Sequence, residues 1–142
     1  MTNNNQKGFS LIELLIVVVI IGVVASLAVP ALQKGIRAAE NGNTFATLRT
    51  ISTSEMNFYS NRGRFARIVE LNNLMNNALG TNSVNDVLRN NFTLSMSPAS
   101  PPPTDLELRD GYTITATRTI PGEGTTYLYE LTQAGEVRQV LP

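Results

Sequence analysis

Few side chains in this sequence can hold a proton, a metal or an isolated charge. There is no histidine and no cysteine. That removes the commonest general base and metal ligand, and all thiol chemistry. No serine–histidine–aspartate set and no glycine-rich phosphate loop is present. Three arrangements of charge remain. Asp105, Glu107 and Asp110 in "DLELRD" cluster oxygens that could bind calcium, but their spacing fits no standard calcium loop and a solvated acidic loop accounts for them. Arg62, Arg64 and Arg67 form a local basic patch that could touch DNA or an acidic neighbour, although an exposed basic turn needs no partner. Glu13 is the third: from Phe9 to Leu32 it is the only strongly polar residue, with Ser10 and Ser26 the mild exceptions. The expectation is therefore no catalytic residue, no metal site and no cofactor, and one carboxylate that needs a reason.

The run that holds Glu13 would span ~36 Å as a helix at ~1.5 Å per residue, and a hydrocarbon core needs ~20 apolar residues. "LIVVVII" is β-branched and would favour a strand in a soluble protein. In lipid a lone strand leaves its backbone unpaired, so a helix is the viable form. A cleaved secretory signal is the rival. It expects a shorter apolar core and a small-residue site, which "ASLAVPA" offers only in part. Lys7 before the run and Lys34 and Arg37 after it leave orientation undecided. A carboxylate at the centre of a membrane helix costs ~2.5–3.5 kcal/mol or more. Glu13 is near one end, so it either lies in the headgroup layer or pairs with a cation.

The stretch "KGFSLIELLIVVVIIGVVASLAVP" resembles the type IV pilin superfamily, which includes major and minor pilins and the pseudopilins of type II secretion. The polar leader "MTNNNQKG", the aromatic Phe9, the glutamate, Gly22 and Pro30 carry the resemblance. It implies a prepilin peptidase cut between Gly8 and Phe9 on the cytoplasmic side, and N-methylation of Phe9. It implies that Glu13 pairs with the methylated amine of a neighbouring subunit during assembly. It also implies that Gly22 and Pro30 permit a kink or local melting in the assembled fibre. The physics agrees: cutting creates a cation at Phe9, and opposite charges attract strongly at low dielectric. Many members close the C-terminal region with a disulfide; this chain, lacking cysteine, departs from that pattern.

Beyond Pro30, Phe45, Leu48, Ser52, Met56 and Tyr59 recur at helical spacing, with Ile51 and Phe58 widening one edge. The spacing predicts a helix from Phe9 to about Ser60, with a bend possible at Gly42, whose inner stripe packs on a globular head. Aromatic residues on that stripe are read as core. "NRGR" at 61–64 ends the helix. A shorter helix is predicted over 66–79, stopped by Gly80. "GTNSVNDVLRNN" reads as a surface loop or weak turn. Strands follow at 92–97, 112–119, 126–132 and 136–140, with a proline-rich break before the second and turn chemistry at 121–124. The fold class is α+β: a long N-terminal helix, stem then amphipathic spine, on a C-terminal antiparallel sheet of three or four strands.

The expected organisation is a leader at 1–8, a transmembrane and assembly helix at 9–32, and a head at 33–142. The function implied is a structural subunit that polymerises with other pilin subunits into a surface fibre. Its partners would be the prepilin peptidase, the assembly machinery and the inner membrane that holds the precursor. Its final location would be an extracellular pilus. Two alternatives stay open: a pseudopilin of a type II secretion system, or a membrane-anchored binding module that never polymerises.

Overall fold

The computed structural model describes residues 8–98, 102–122 and 126–141. Most of the leader, the middle of the proline-rich break and the tip of the 121–124 turn lie outside these. The chain forms two compact units, one ending at Ala39 and the other running from Glu40 to the C-terminus.

The first unit is the opening part of α1, a helix that runs Leu11–Arg62 and carries Pro30 inside it. Pro30 has no N–H to give the Ser26 carbonyl four residues back; separately, the Ser26 hydroxyl donates to Val23 O at 2.7 Å. The helix continues through Gly22 and Gly42 as well. Its apolar side chains from Leu11 to Leu32 are exposed. This part is long and apolar enough to cross a membrane, and none of its apolar window is buried within the chain.

In the second unit, α1 continues to Arg62 and stops where Gly63 takes a positive φ of 68°. Gly63 N–H donates to Tyr59 O at 2.8 Å, closing the last turn. α2 follows at Ile68–Leu74. Six strands, β1 (Thr81–Ser83), β2 (Asp86–Arg89), β3 (Phe92–Ser97), β4 (Thr113–Thr119), β5 (Thr126–Thr132) and β6 (Val137–Leu141), form one antiparallel sheet in sequence order. A single turn, α3 (Glu107–Asp110), precedes β4.

Register makes one sheet face apolar. Leu94 stands opposite Ala116, and Ile114 opposite Leu131. With a period of two, Tyr112, Ile114 and Ala116 turn inward together, as their alternation predicts. Leu48 and Ile51 of α1 join Val87, Phe92, Leu94 and Leu131 in one core. The sheet thus covers the spine of α1, the α+β arrangement expected from sequence.

Three details differ from expectation. The inner face of α1 is rotated: its buried residues are Thr44, Thr47, Leu48, Ile51 and Glu55. Met56 and Tyr59 are exposed, and Phe45 and Phe58 only pack at the margin. Thr44 and Thr47 can be buried because their hydroxyls donate to the Glu40 and Asn43 carbonyls one turn back. Next, α2 ends at Leu74 rather than Leu79, because Asn76 and Asn77 take positive φ. Buried Asn72 organises this turn: its amide donates to Gly80 O at 3.0 Å and accepts Leu79 N–H at 2.9 Å. Last, the asparagine-rich segment is the β1–β2 hairpin, and the sheet has six strands rather than three or four. The β2–β3 turn is Asn90–Asn91, both at positive φ, as a two-residue hairpin of this twist requires.

Gly80 is fixed by the turn that Asn72 organises. Its φ is +148°, and an added Cβ would lie 2.3 Å from the Leu88 carbonyl oxygen. Gly80→Ala is expected to destabilise the head by at least about 2 kcal/mol, read as a shifted chemical melt of the chain in detergent. An unshifted melt would mean that β2 can retreat from the turn.

Candidate functional site: the N-terminal stem

Gly8 and Phe9 precede the first helical residue and are exposed, Phe9 at 85%. A bond so placed is open to a processing enzyme. Ser10 is the residue before α1, and the Glu13 carboxylate turns back to it: Ser10 N–H donates to Glu13 Oε2 at 2.9 Å. Leu14 N–H donates to Ser10 O at 3.2 Å, the first bond of the helix. Ser10 and Glu13 are thus related as in a capping box, with a carboxylate where the helix dipole favours one. The spacing Ser-x-x-Glu carries this signal in the sequence, where the apolar run around it obscures it. Glu13 therefore has a local partner within its own chain. Gly22 lies about two and a half turns beyond Glu13 and Pro30 nearly five, both exposed within continuous helix.

The charged clusters of the head resolve into ion pairs. Arg64 donates through both terminal nitrogens to Glu70, at 2.9 Å each. Arg67 donates to Asp105 Oδ1 at 2.6 Å and to Pro103 O at 2.8 Å. The Arg64 hydrogen bonds hold the Glu70 carboxyl below the usual carboxylate range, and the Arg67 bond does the same for Asp105. Glu107 Oε2 accepts from the Thr104 N–H and hydroxyl, both at 2.7 Å. The acidic loop is therefore occupied in pairing and capping, and the basic patch is largely neutralised. Among the described residues no group of three His, Cys, Asp or Glu side chains is placed to hold a metal. At the start of the head, Arg118 on β4 pairs with Glu40 of α1 at 2.5 Å and lies over the Phe92 ring.

Residues 3–29 match the family model for the prokaryotic N-terminal methylation motif. The chain is 34% identical over 64 residues to the type IV major pilin protein PilA of Myxococcus xanthus, covering 45% of this chain and 29% of that one. It is 47% identical over 51 residues to a fimbrial protein of Moraxella nonliquefaciens, covering 36% and 33%. It is 35% identical over 63 residues to the type IV major pilin protein PilE1 of Neisseria gonorrhoeae, covering 44% and 38%. The match thus spans about a third of the length of these curated relatives. No solved structure matches. Motif and relatives together liken the N-terminal part of the chain to type IV pilins.

Proposed function

We propose that the chain is a structural, non-enzymatic subunit of a type IV pilus. It is made as a precursor held in the inner membrane by residues 9–32. A prepilin peptidase removes the leader after Gly8, and Phe9 is methylated. Subunits then leave the membrane and polymerise through their stems into a surface fibre, with Glu13 pairing with the amine of a neighbour. The helix between Gly22 and Pro30 is where the stem would unwind in the fibre, since both residues weaken helical backbone there. The observation that carries this reading is the coincidence of the methylation motif with an apolar helix that buries none of its own apolar window. Exposed apolar surface on that scale needs lipid or other copies of the same helix to cover it. The relatives are named as pilins and fimbrial proteins, which favours the fibre over a secretion pseudopilin or a solitary anchored module.

Processing is the test. Sheared fibres should contain this chain starting at methylated Phe9 by mass spectrometry. Gly8→Val should leave the intact precursor in the inner membrane and no fibre. Fibres that retain residues 1–8 would overturn the reading.

A further inference from the structure

Glu55 lies on the buried face of α1 with none of its side chain exposed to solvent. Its Oε2 accepts the Ala66 N–H at 2.8 Å, and its Oε1 is buried with no hydrogen-bond partner. Ala66 belongs to the connection between α1 and α2, and it is fully buried. That connection is also pinned by Phe65 N–H on Leu108 O at 2.9 Å, and the Phe65 ring stacks between Tyr59 and Tyr112 with centroids 4.6 and 4.7 Å away. The carboxyl of Glu55 is thus the polar bolt between the spine and the segment that leads into α2.

Among the described residues, the cation that acts on that bolt is already engaged. From the connection, Arg64 attracts it, but the guanidinium is already bidentate to Glu70 and 3.6 Å from Asp105. From α2, Glu70 repels it. From the residue before β4, Tyr112 presents a buried hydroxyl without a hydrogen-bond partner, and Ser52 of α1 lies beside it. A neutral carboxyl fits such a site; a carboxylate would be buried without its water and without a counter-ion.

We propose that Glu55 is an acid-favoured latch: neutral, it holds the connection at residues 63–67 against the spine, and its ionisation lets that connection open. Burial raises the Glu55 carboxyl to about 8, with Glu70 adding to the rise and the Ala66 N–H and Arg64 opposing it. A group raised in the closed form gives its full hold below its ordinary range, near 4.5, and loses it progressively as pH climbs to about 8. The side chains that ordinarily titrate in this window are absent from the sequence. There is no histidine and no cysteine; Glu70 and Asp105 move down, and Tyr112 is pushed up to about 12 by burial. An α-amino terminus, near ~8, is an ordinary competitor there. In a chain without histidine, a buried glutamate takes the place of the neutral-range proton switch. The latch is independent of whether the chain polymerises.

The experiment is hydrogen exchange of the Phe65 and Ala66 amides in the full chain in detergent micelles, corrected for the intrinsic pH dependence of exchange. Protection in the wild type should fall about tenfold per pH unit between about pH 5.5 and 7.5, then level off above about 8. Glu55→Gln, which keeps the shape and an acceptor for Ala66, should show protection independent of pH in that range. A flat wild-type profile, or an equal slope in Glu55→Gln, overturns the latch. If the variant does not fold, carbon-13 NMR of glutamate carboxyls in the wild type decides: one carboxyl should titrate near 8, and its absence sinks the proposal.

Discussion

Exchanging Glu13 for leucine is expected to leave the chain in the membrane and remove it from the fibre. Leucine in place of a carboxylate favours insertion, since the acid is the one strongly polar residue of the apolar run. Fibre yield should nevertheless drop by at least about tenfold, the ratio set by losing ~1.4 kcal/mol at a single contact. The hydrogen bond from Ser10 N–H to Glu13 makes a second variant decisive. Leucine removes both the helix cap and the charge. Glutamine keeps an acceptor that can still receive the Ser10 N–H, because the capping box works with either side chain, and removes only the charge. If pairing with a neighbour's Phe9 amine drives assembly, both variants accumulate in the membrane and both fail to polymerise. If the carboxylate serves only to start the helix, Glu13→Gln assembles normally and Glu13→Leu does not. Normal yield from both would leave Glu13 a residue of the headgroup layer. Fractionating membranes from sheared fibres, at equal expression and processing, separates the three outcomes.

What was legible in the sequence follows from how strongly one force dominates each segment. The stem could be read because an apolar run of that length with one acid admits few structures in lipid. The strands at 92–97, 113–119 and 126–132 could be read because one of their faces is dry, so alternation survives in the sequence. The inner face of α1 could not be placed by apolarity alone. Its buried stripe includes Thr44, Thr47 and Glu55, while Met56 and Tyr59, which look like core, face outward. Side-chain hydrogen bonds to carbonyls one turn back make the threonines burial-compatible, and a proton does the same for Glu55. The β1–β2 hairpin was hidden because only Val87 among its strand residues is fully buried, so polar composition outweighed alternation. Asn90 and Asn91, read as loop, and Asn76 and Asn77, read as helix, supply the left-handed turns on either side of it. The pairing of Arg64 and Arg67 with Glu70 and Asp105 needed the fold, because Asp105 is distant in sequence.

That rotation of α1 makes the contrast between two phenylalanines a quantitative test of the head. Phe92 on β3 has no exposed surface; its ring lies 5.9 Å from that of Tyr129, and the Arg118 guanidinium sits 5.6 Å above it. Phe92→Ala should therefore lose ~3–5 kcal/mol, the cost of removing a buried ring and leaving a cavity that a hydrogen-bonded sheet cannot collapse into. Phe45 on α1 packs only at the edge of the core, with Arg49 stacked over its ring at 4.9 Å. Part of that ring is already in water, so Phe45→Ala should cost only about 1–2 kcal/mol. In a domain of this size each kcal/mol moves the melting midpoint by roughly 4–8 °C, so the two variants separate well beyond error. Phe92→Leu should fall between them, which guards against Phe92→Ala failing to accumulate. The melts belong in detergent on the full chain, where the stem stays covered. The reverse order, with Phe45→Ala the more damaging, would mean that α1 turns its Phe45–Tyr59 edge toward the sheet and that Glu55 is not in the core.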